Sequence, residues 1–329
     1  MTKKIELTEL KETSVDNEYD LFICCCSFEK RCLSVPQNLS THKIDNSLIV
    51  YNEEILEYIN TNLSLLKDYV LANGKLISIH QSDPLYTADS IKNALLEYRD
   101  KSTRKVHRIL LDITTFTHET LLILLKLIQI LFPDSNIICA YANALDYDAP
   151  NNKNEKWLSK GISEIRSVLG YAGMFMPAQK THLIIVVGYE YERAISIINA
   201  LEPSSISLGF GRSNNATTQK NIDANEHYME LVSEVASNYS NIDTFEVMCN
   251  DPYQTRDELT KIIKSHSDKN ILISPLNNKI STIGVAFATF ENENVRVCYA
   301  PALTYNYENY SEPGESCYLF DITEAMKQR

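Results

Sequence analysis

A few short stretches of this 329-residue sequence carry side chains able to do chemistry. Asp112-Ile-Thr-Thr-Phe-Thr-His118-Glu119 sets a carboxylate, hydroxyls and an imidazole within one turn-sized segment, with Asp112, Thr114 and His118 as its candidate catalytic groups. A histidine titrates near neutrality and moves a proton well when a carboxylate orients it. His118 and Glu119 are not such a pair, because adjacent helical residues point about 100° apart. Two further loops, Ser27-Phe-Glu-Lys-Arg31 and Gly188-Tyr-Glu-Tyr-Glu-Arg193, each deliver an arginine near a helix start. There a guanidinium fork and free backbone N–H groups would suit a phosphate or carboxylate. The competing reading of Arg31 and Arg193 is an ion pair with Glu29 or Glu190. Asn278 and Lys279 in Ser274-Pro-Leu-Asn-Asn-Lys279, and Arg212 and Asn214 in Gly209-Phe-Gly-Arg-Ser-Asn-Asn215, complete the set of candidate ligand contacts. Strand-end Asp, Ser, Thr and Asn residues are equally at home as helix N-caps.

Placing these loops requires a regular scaffold, and the hydropathy pattern supplies one. Apolar runs at 21–26, 47–51, 75–80, 107–113 and 136–141 read as strands, with amphipathic helical patterns at 54–71, 88–98 and 117–132 between them. The second half repeats this, with strands near 183–187, 205–208, 244–249, 270–274 and 295–299 and helices at 191–201, 217–239, 255–265 and 280–290. Strands alternating with helices imply crossover connections and parallel sheets covered on both faces. The expected architecture is therefore α/β, two tandem Rossmann-like units at 1–147 and 181–329, joined by a bridge at 148–180. Trp157, Leu158, Ile162, Ile165 and Leu169 recur at helical spacing, so that bridge is expected to be helical. Tyr305, Tyr307 and Tyr310 of the tail are expected to form a flap over the second sheet or stacking faces for a ligand.

The halves echo each other in detail. Tyr141-Ala-Asn-Ala-Leu-Asp-Tyr147 recurs as Tyr299-Ala-Pro-Ala-Leu-Thr-Tyr305. Upstream, Arg31 and Arg193 precede these heptapeptides by 110 residues (141 minus 31) and 106 residues (299 minus 193). Such a repeat is the signature of an internal duplication. Its mostly apolar side chains point to shared packing.

Composition narrows the function. A net charge of -12 opposes general duplex binding, which rests on Lys and Arg at phosphates. The run Cys24-Cys25-Cys26 alternates sides of a strand and no CxxC pair occurs, so reduced, buried, cytosolic thiols are expected and no metal. Gly209-Phe-Gly211 lacks the third glycine of a dinucleotide fingerprint, so no NAD or other cofactor is expected. The apolar stretch 121–132 falls short of the about 20 residues of a membrane span.

Asp112-Ile-Thr114 with Thr117, after a fourth strand, resembles the Asp-x-Thr-Gly-Gly-Thr-Lys signature of CARF domains, which bind cyclic oligoadenylates in bacterial and archaeal immunity. Thr115 and Phe116 stand where that signature has its glycines, and His118 where it has a lysine. The resemblance implies a regulatory nucleotide site at these loops. Taken together, the expectation is a cytoplasmic sensor or accessory protein that binds a small anionic ligand, a nucleotide in the first instance, within a bacterial antiviral system. The alternatives are a nucleotide-directed hydrolase or nuclease using Asp112, Thr114 and His118, and an interaction scaffold. A partner subunit or a second copy of the chain would be its protein contacts.

Overall fold

Eight consecutive buried residues, Tyr19–Cys26, form the central strand of the first half, as a strand covered on both faces requires. This is seen in a computed structural model that describes residues 2–13, 18–39, 44–70, 74–147, 157–211, 219–239 and 242–327. The chain divides into two units, Met1–Ala149 with Tyr307–Arg329, and Pro150–Asn306.

Unit 1 runs β1 (Lys3–Glu6), α1 (Leu10–Thr13), β2 (Tyr19–Cys26), α2 (Ser34–Gln37), β3 (Ile44–Asn52), α3 (Leu56–Val70), β4 (Gly74–Ile79), α4 (Pro84–Lys101), β5 (Arg108–Asp112), α5 (His118–Leu131) and β6 (Asn136–Tyr147). Unit 2 continues with β7 (Ser159–Ile162), β8 (Arg166–Ser167), β9 (Thr181–Val186), α6 (Tyr191–Leu201), β10 (Ser205–Gly211), α7 (Gln219–Ala236), β11 (Ile242–Val247), α8 (Pro252–Ser265), β12 (Asn270–Pro275), α9 (Lys279–Phe290), β13 (Arg296–Tyr299) and β14 (Ala302–Tyr305). The chain then returns to unit 1 with β15 (Ser311–Asp321) and α10 (Thr323–Met326).

Among the described residues the first sheet has seven strands in the order β1-β15-β6-β5-β2-β3-β4, and the second has six in the order β11-β10-β9-β12-β13-β8. Within each, five parallel strands keep one connectivity: β6-β5-β2-β3-β4 in unit 1 and β13-β12-β9-β10-β11 in unit 2. The repeat seen in the heptapeptides is thus a repeat of topology. In both units the strand order reverses between the first and fourth parallel strands, where open α/β sheets leave a crevice beyond the carboxyl ends.

Helix starts follow the strand-end polar residues. Asp83 accepts from the Tyr86 N–H ahead of α4, Thr117 from Thr120 N–H ahead of α5, Asp251 from Tyr253 N–H ahead of α8, and Asn278 from Ser281 N–H ahead of α9. Helix α5 is buried on nearly every side, which explains its uninterrupted apolar sequence. Among the described residues no helix is long and apolar enough to cross a membrane.

Two expectations are corrected. The bridge expected to be helical holds the short strands β7 and β8 instead, because their partners lie elsewhere in unit 2: β7 pairs with β14 and β8 with β13, both antiparallel. Sheet pairing supplied by distant residues overrides the local helical spacing of Ile162 and Ile165. The tail, in turn, does not cover the second sheet. β15 lies antiparallel to β6 in the first. The heptapeptides differ in one respect: β6 runs unbroken through Tyr147, whereas Pro301, at the position of Asn143, separates β13 from β14. Proline has no N–H to give the ladder.

Helices α8 and α9 pack closely at Gly284, where an added Cβ would lie 2.6 Å from Thr255 Cβ and 2.7 Å from the Pro252 carbonyl oxygen. Gly284→Ala should therefore destabilise unit 2 by about 1–3 kcal/mol, lowering the urea midpoint followed by Trp157 fluorescence.

Candidate functional site

The crevice of unit 1 lies beyond Cys26 of β2 and Asp112 of β5, and it is filled. Asp112 is 2% exposed, and its Oδ1 accepts from the Thr114 N–H at 3.0 Å and from the Thr114 hydroxyl. Thr114 Oγ1 itself accepts from the Ala142 N–H of β6 at 3.0 Å. The Thr115 hydroxyl donates to the Cys25 carbonyl at 2.7 Å, and Phe116 is 1% exposed, so the loop is stapled down over the end of β2. His118, the first residue of α5, is buried as well. Burial pushes the Asp112 carboxyl up to about 7, against the opposing pull of the Thr114 bonds and the Arg31 charge. The three candidate catalytic residues thus share a loop whose side chains are closed to solvent.

Arg31 is buried beside the same strand end. Its Nη2 donates to Glu29 Oε2 at 2.6 Å, its Nε to Glu29 Oε2 at 3.0 Å and to Ser311 Oγ at 3.1 Å, and its Nη1 to the Ala142 carbonyl at 3.3 Å. The Ser311 hydroxyl donates to Glu29 at 2.6 Å. The guanidinium also lies 5.3 Å from the centre of the Tyr147 ring and 6.0 Å from that of Tyr141. The heptapeptide repeat therefore forms one wall of an arginine socket.

Unit 2 builds the same socket. Arg193 pairs with Glu190, donates through Nη2 to the Ala300 carbonyl at 2.6 Å and stacks 5.2 Å from the centre of Tyr299. The Ser159 hydroxyl donates to Glu190 at 2.6 Å. Ser159 lies opposite Tyr305 across β7 and β14, as Ser311 lies opposite Tyr147 across β15 and β6. Burial pushes the Glu190 carboxyl up, but Arg193, Ser159 and Lys279 outweigh it and hold it below its ordinary value. Both arginines are nearly inaccessible, at 3% and 2% exposure. Arg31 and Arg193 each adopt the ion pair that the sequence offered as the competing reading, with the guanidinium buried and the carboxylate two or three residues away.

The unit 2 crevice lies beyond β9 and β12 and is more open. Gly188 lets the first and fourth loops touch backbone to backbone: an added Cβ would stand 2.5 Å from the Leu276 carbonyl oxygen. Lys279, the first residue of α9, is half-buried, whereas His118, the first residue of α5, is buried; the capping residues Asn278 and Thr117 are both half-buried. Asn277 Nδ2 donates to the Val187 carbonyl at 2.5 Å, and Asn278 Nδ2 to the Cys249 carbonyl at 2.6 Å. These amides shape the loop, and Lys279 opens α9. Arg212 and Asn214 lie outside the described residues.

Of the tail tyrosines, Tyr305 ends β14 in unit 2, while Tyr307 and Tyr310 pack within unit 1. Tyr307 stacks on Tyr58 with centroids 3.9 Å apart, and Phe28 meets Tyr307 and Tyr310 edge-on at 4.9 and 5.4 Å. Ser159 and Ser311 escape sequence reasoning, because only sheet register brings them to the glutamates. The similar separations of arginine and heptapeptide, 110 and 106 residues, and the glutamate close to each arginine are the signs of the socket in the sequence.

Removing Arg31 leaves Glu29 buried and unpaired. Arg31→Ala should cost about 3–5 kcal/mol, read from the urea midpoint of the full chain, and Arg193→Ala a similar amount. Asp112 makes a second prediction. Between its ordinary value of 3.8 and about 7, the folded carboxyl holds a proton that the unfolded one releases. Stability is therefore lost as pH rises through that window, by roughly 4 kcal/mol at most for a gap of about three units. Asp112→Asn should flatten this slope, so that the variant gains on the parent from pH 4 to pH 7 in urea midpoints measured by circular dichroism.

No protein-family model matches the chain, and no curated protein matches it. Among solved structures it is similar to the cytoplasmic domain of a prokaryotic cation chloride cotransporter, with a TM-score of 0.26 and 8% identity over 87% of this chain and 96% of that one. It is also similar to an adenylation, ketoreductase and pseudo Asub multidomain structure of a keto acid-selecting NRPS module, with a TM-score of 0.26 and 9% identity over 90% of this chain and 31% of that one. Likeness at this level says nothing of ligand or activity. The fold itself is an α/β pair of Rossmann-like units, each with a mostly parallel sheet flanked by helices.

Proposed function

We propose that the chain is a sensor or accessory protein that binds a small phosphate-bearing ligand, a nucleotide in the first instance, at the strand-end crevice of unit 2. One observation carries this reading: of two helix starts at equivalent places, the first residue of α5, His118, is buried, while the first residue of the twelve-residue α9, Lys279, is half-buried. A helix start presents N–H groups to an anion, and a lysine at its first position adds charge. The CARF resemblance also directs a nucleotide to the loop after the fourth strand. The residues that carry the resemblance lie in the buried loop of unit 1; the equivalent loop of unit 2, where we place the ligand, supplies Lys279 but has Pro275 where the acid would stand.

Titration calorimetry of the full chain against mononucleotides and cyclic oligonucleotides tests the proposal. Binding that weakens about 10-fold or more in Lys279→Ala, as loss of one charge-assisted contact implies, and that falls with added salt, supports it. No heat with any member of the panel, or equal affinity in Lys279→Ala, sinks it. A second reading, a nucleotide hydrolase, draws on the Asp112 carboxyl poised at about 7, a useful value for a proton donor near neutrality. Turnover abolished by Asp112→Asn with the fold intact would favour that reading.

A further inference from the structure

Unit 2 is continuous in sequence, whereas unit 1 is completed by β15, which follows unit 2. The antiparallel strands keep one register in both. In unit 1, Ser311 lies opposite Tyr147 and Tyr318 opposite Tyr141; in unit 2, Ser159 lies opposite Tyr305 and Arg166 opposite Tyr299. In each the two partners are seven positions apart (318 minus 311, 166 minus 159) across one heptapeptide. β7 with β8 is therefore the positional equivalent of β15. The same assembly is cut at two different places: unit 2 begins with β7 and β8, the equivalent of the strand that comes last in unit 1, as a circular permutant would.

We infer that folded unit 2 acts as a clip that delivers β15 to β6, so that unit 1 depends on unit 2 being folded and unit 2 does not depend on unit 1. To pair with β6, β15 must return across the 163 residues between Tyr147 and Ser311 (311 minus 147 minus 1). When unit 2 is folded, its incoming and outgoing ends are held side by side. Tyr305 lies opposite Ser159, the Asn306 N–H donates to the Leu158 carbonyl at 2.9 Å, and Asn306 Nδ2 donates to the Trp157 carbonyl at 3.2 Å. The chain left to close is then 148–158 and 306–310, sixteen residues. Loop closure scales as about the three-halves power of length, so shortening the loop from 163 to 16 residues raises the effective concentration of β15 at β6 roughly 30-fold. Nothing comparable works in reverse, because β7 and β8 and the strands they pair with, β14 and β13, all lie within the continuous stretch of unit 2, with no part of unit 1 between them.

The chain carries its own reporters. Trp157, its only tryptophan, belongs to unit 2, and the thiols of Cys24, Cys25 and Cys26, each 8% exposed or less, belong to unit 1. Ile184→Asp, which places a charge at a fully buried position of β9, should unfold unit 2 without denaturant. Alkylation of Cys24–Cys26, followed by mass spectrometry of the full chain, should then run about 30-fold faster than in the parent, or faster still. An unchanged rate while the Trp157 signal is that of unfolded chain overturns the inference. Conversely, Phe320→Ala in the buried part of β15 should speed that labelling at least tenfold and leave the Trp157 urea midpoint in place. A Trp157 midpoint that falls along with thiol protection overturns it too. Should Phe320→Ala fail to fold, Phe320→Leu gives the same pair of readings at smaller amplitude.

Discussion

The strand-end face of each unit is organised around one buried ion pair. Arg31 with Glu29, and Arg193 with Glu190, each bind three stretches of chain: the loop after the first parallel strand, the carbonyl of the second heptapeptide residue (Ala142 within β6, Ala300 just past β13), and a serine on the antiparallel neighbour. A guanidinium taken out of water needs a carboxylate and further acceptors within reach, or the desolvation cost is not met. The backbone carbonyl, the serine hydroxyl and the tyrosine faces supply that company here. Such a pair contributes positional specificity more than net stability, because a wrongly placed strand would leave a buried charge unmatched. The heptapeptide repeat follows from this requirement: its first tyrosine and the alanine after it present a ring face and a carbonyl at the height of the arginine.

With the arginines engaged this way in both units, the two crevices differ in their remaining polar groups. In unit 1 the loop after the fourth strand turns inward. Thr115 bonds to β2, Phe116 fills the space beneath, and Asp112 is held by Thr114 in a setting that favours its neutral form. In unit 2 the corresponding loop is shaped by the amides of Asn277 and Asn278 against neighbouring carbonyls and leads directly into Lys279. One scaffold thus carries a closed polar core on one side and a more accessible cationic helix start on the other. The difference arises from side-chain size and polarity at a few positions, with the topology unchanged.

The antiparallel strands add an asymmetry of another kind. They occupy the same register in both sheets but enter from opposite ends of the repeat. Pro301 marks where the match is imperfect, splitting in unit 2 a strand that is continuous in unit 1.

The alternation of apolar strands and amphipathic helices, the caps that start the helices, the repeat, and the glutamates close to each arginine could all be read from sequence. These are governed by contacts within a few residues, or by a periodicity that a sheet or helix imposes on its own residues. Tertiary structure alone decided the rest. The helical spacing of Ile162 and Ile165 yielded to pairing with β13 and β14, the tail tyrosines found Phe28 and Tyr58, and Ser159 and Ser311 met their glutamates through register. Asp112 reads as an available acid in the sequence, yet the fold buries it. Which strand completes which sheet depends on loop closure across 163 residues and on unpaired edge groups, and neither leaves a local mark on the chain.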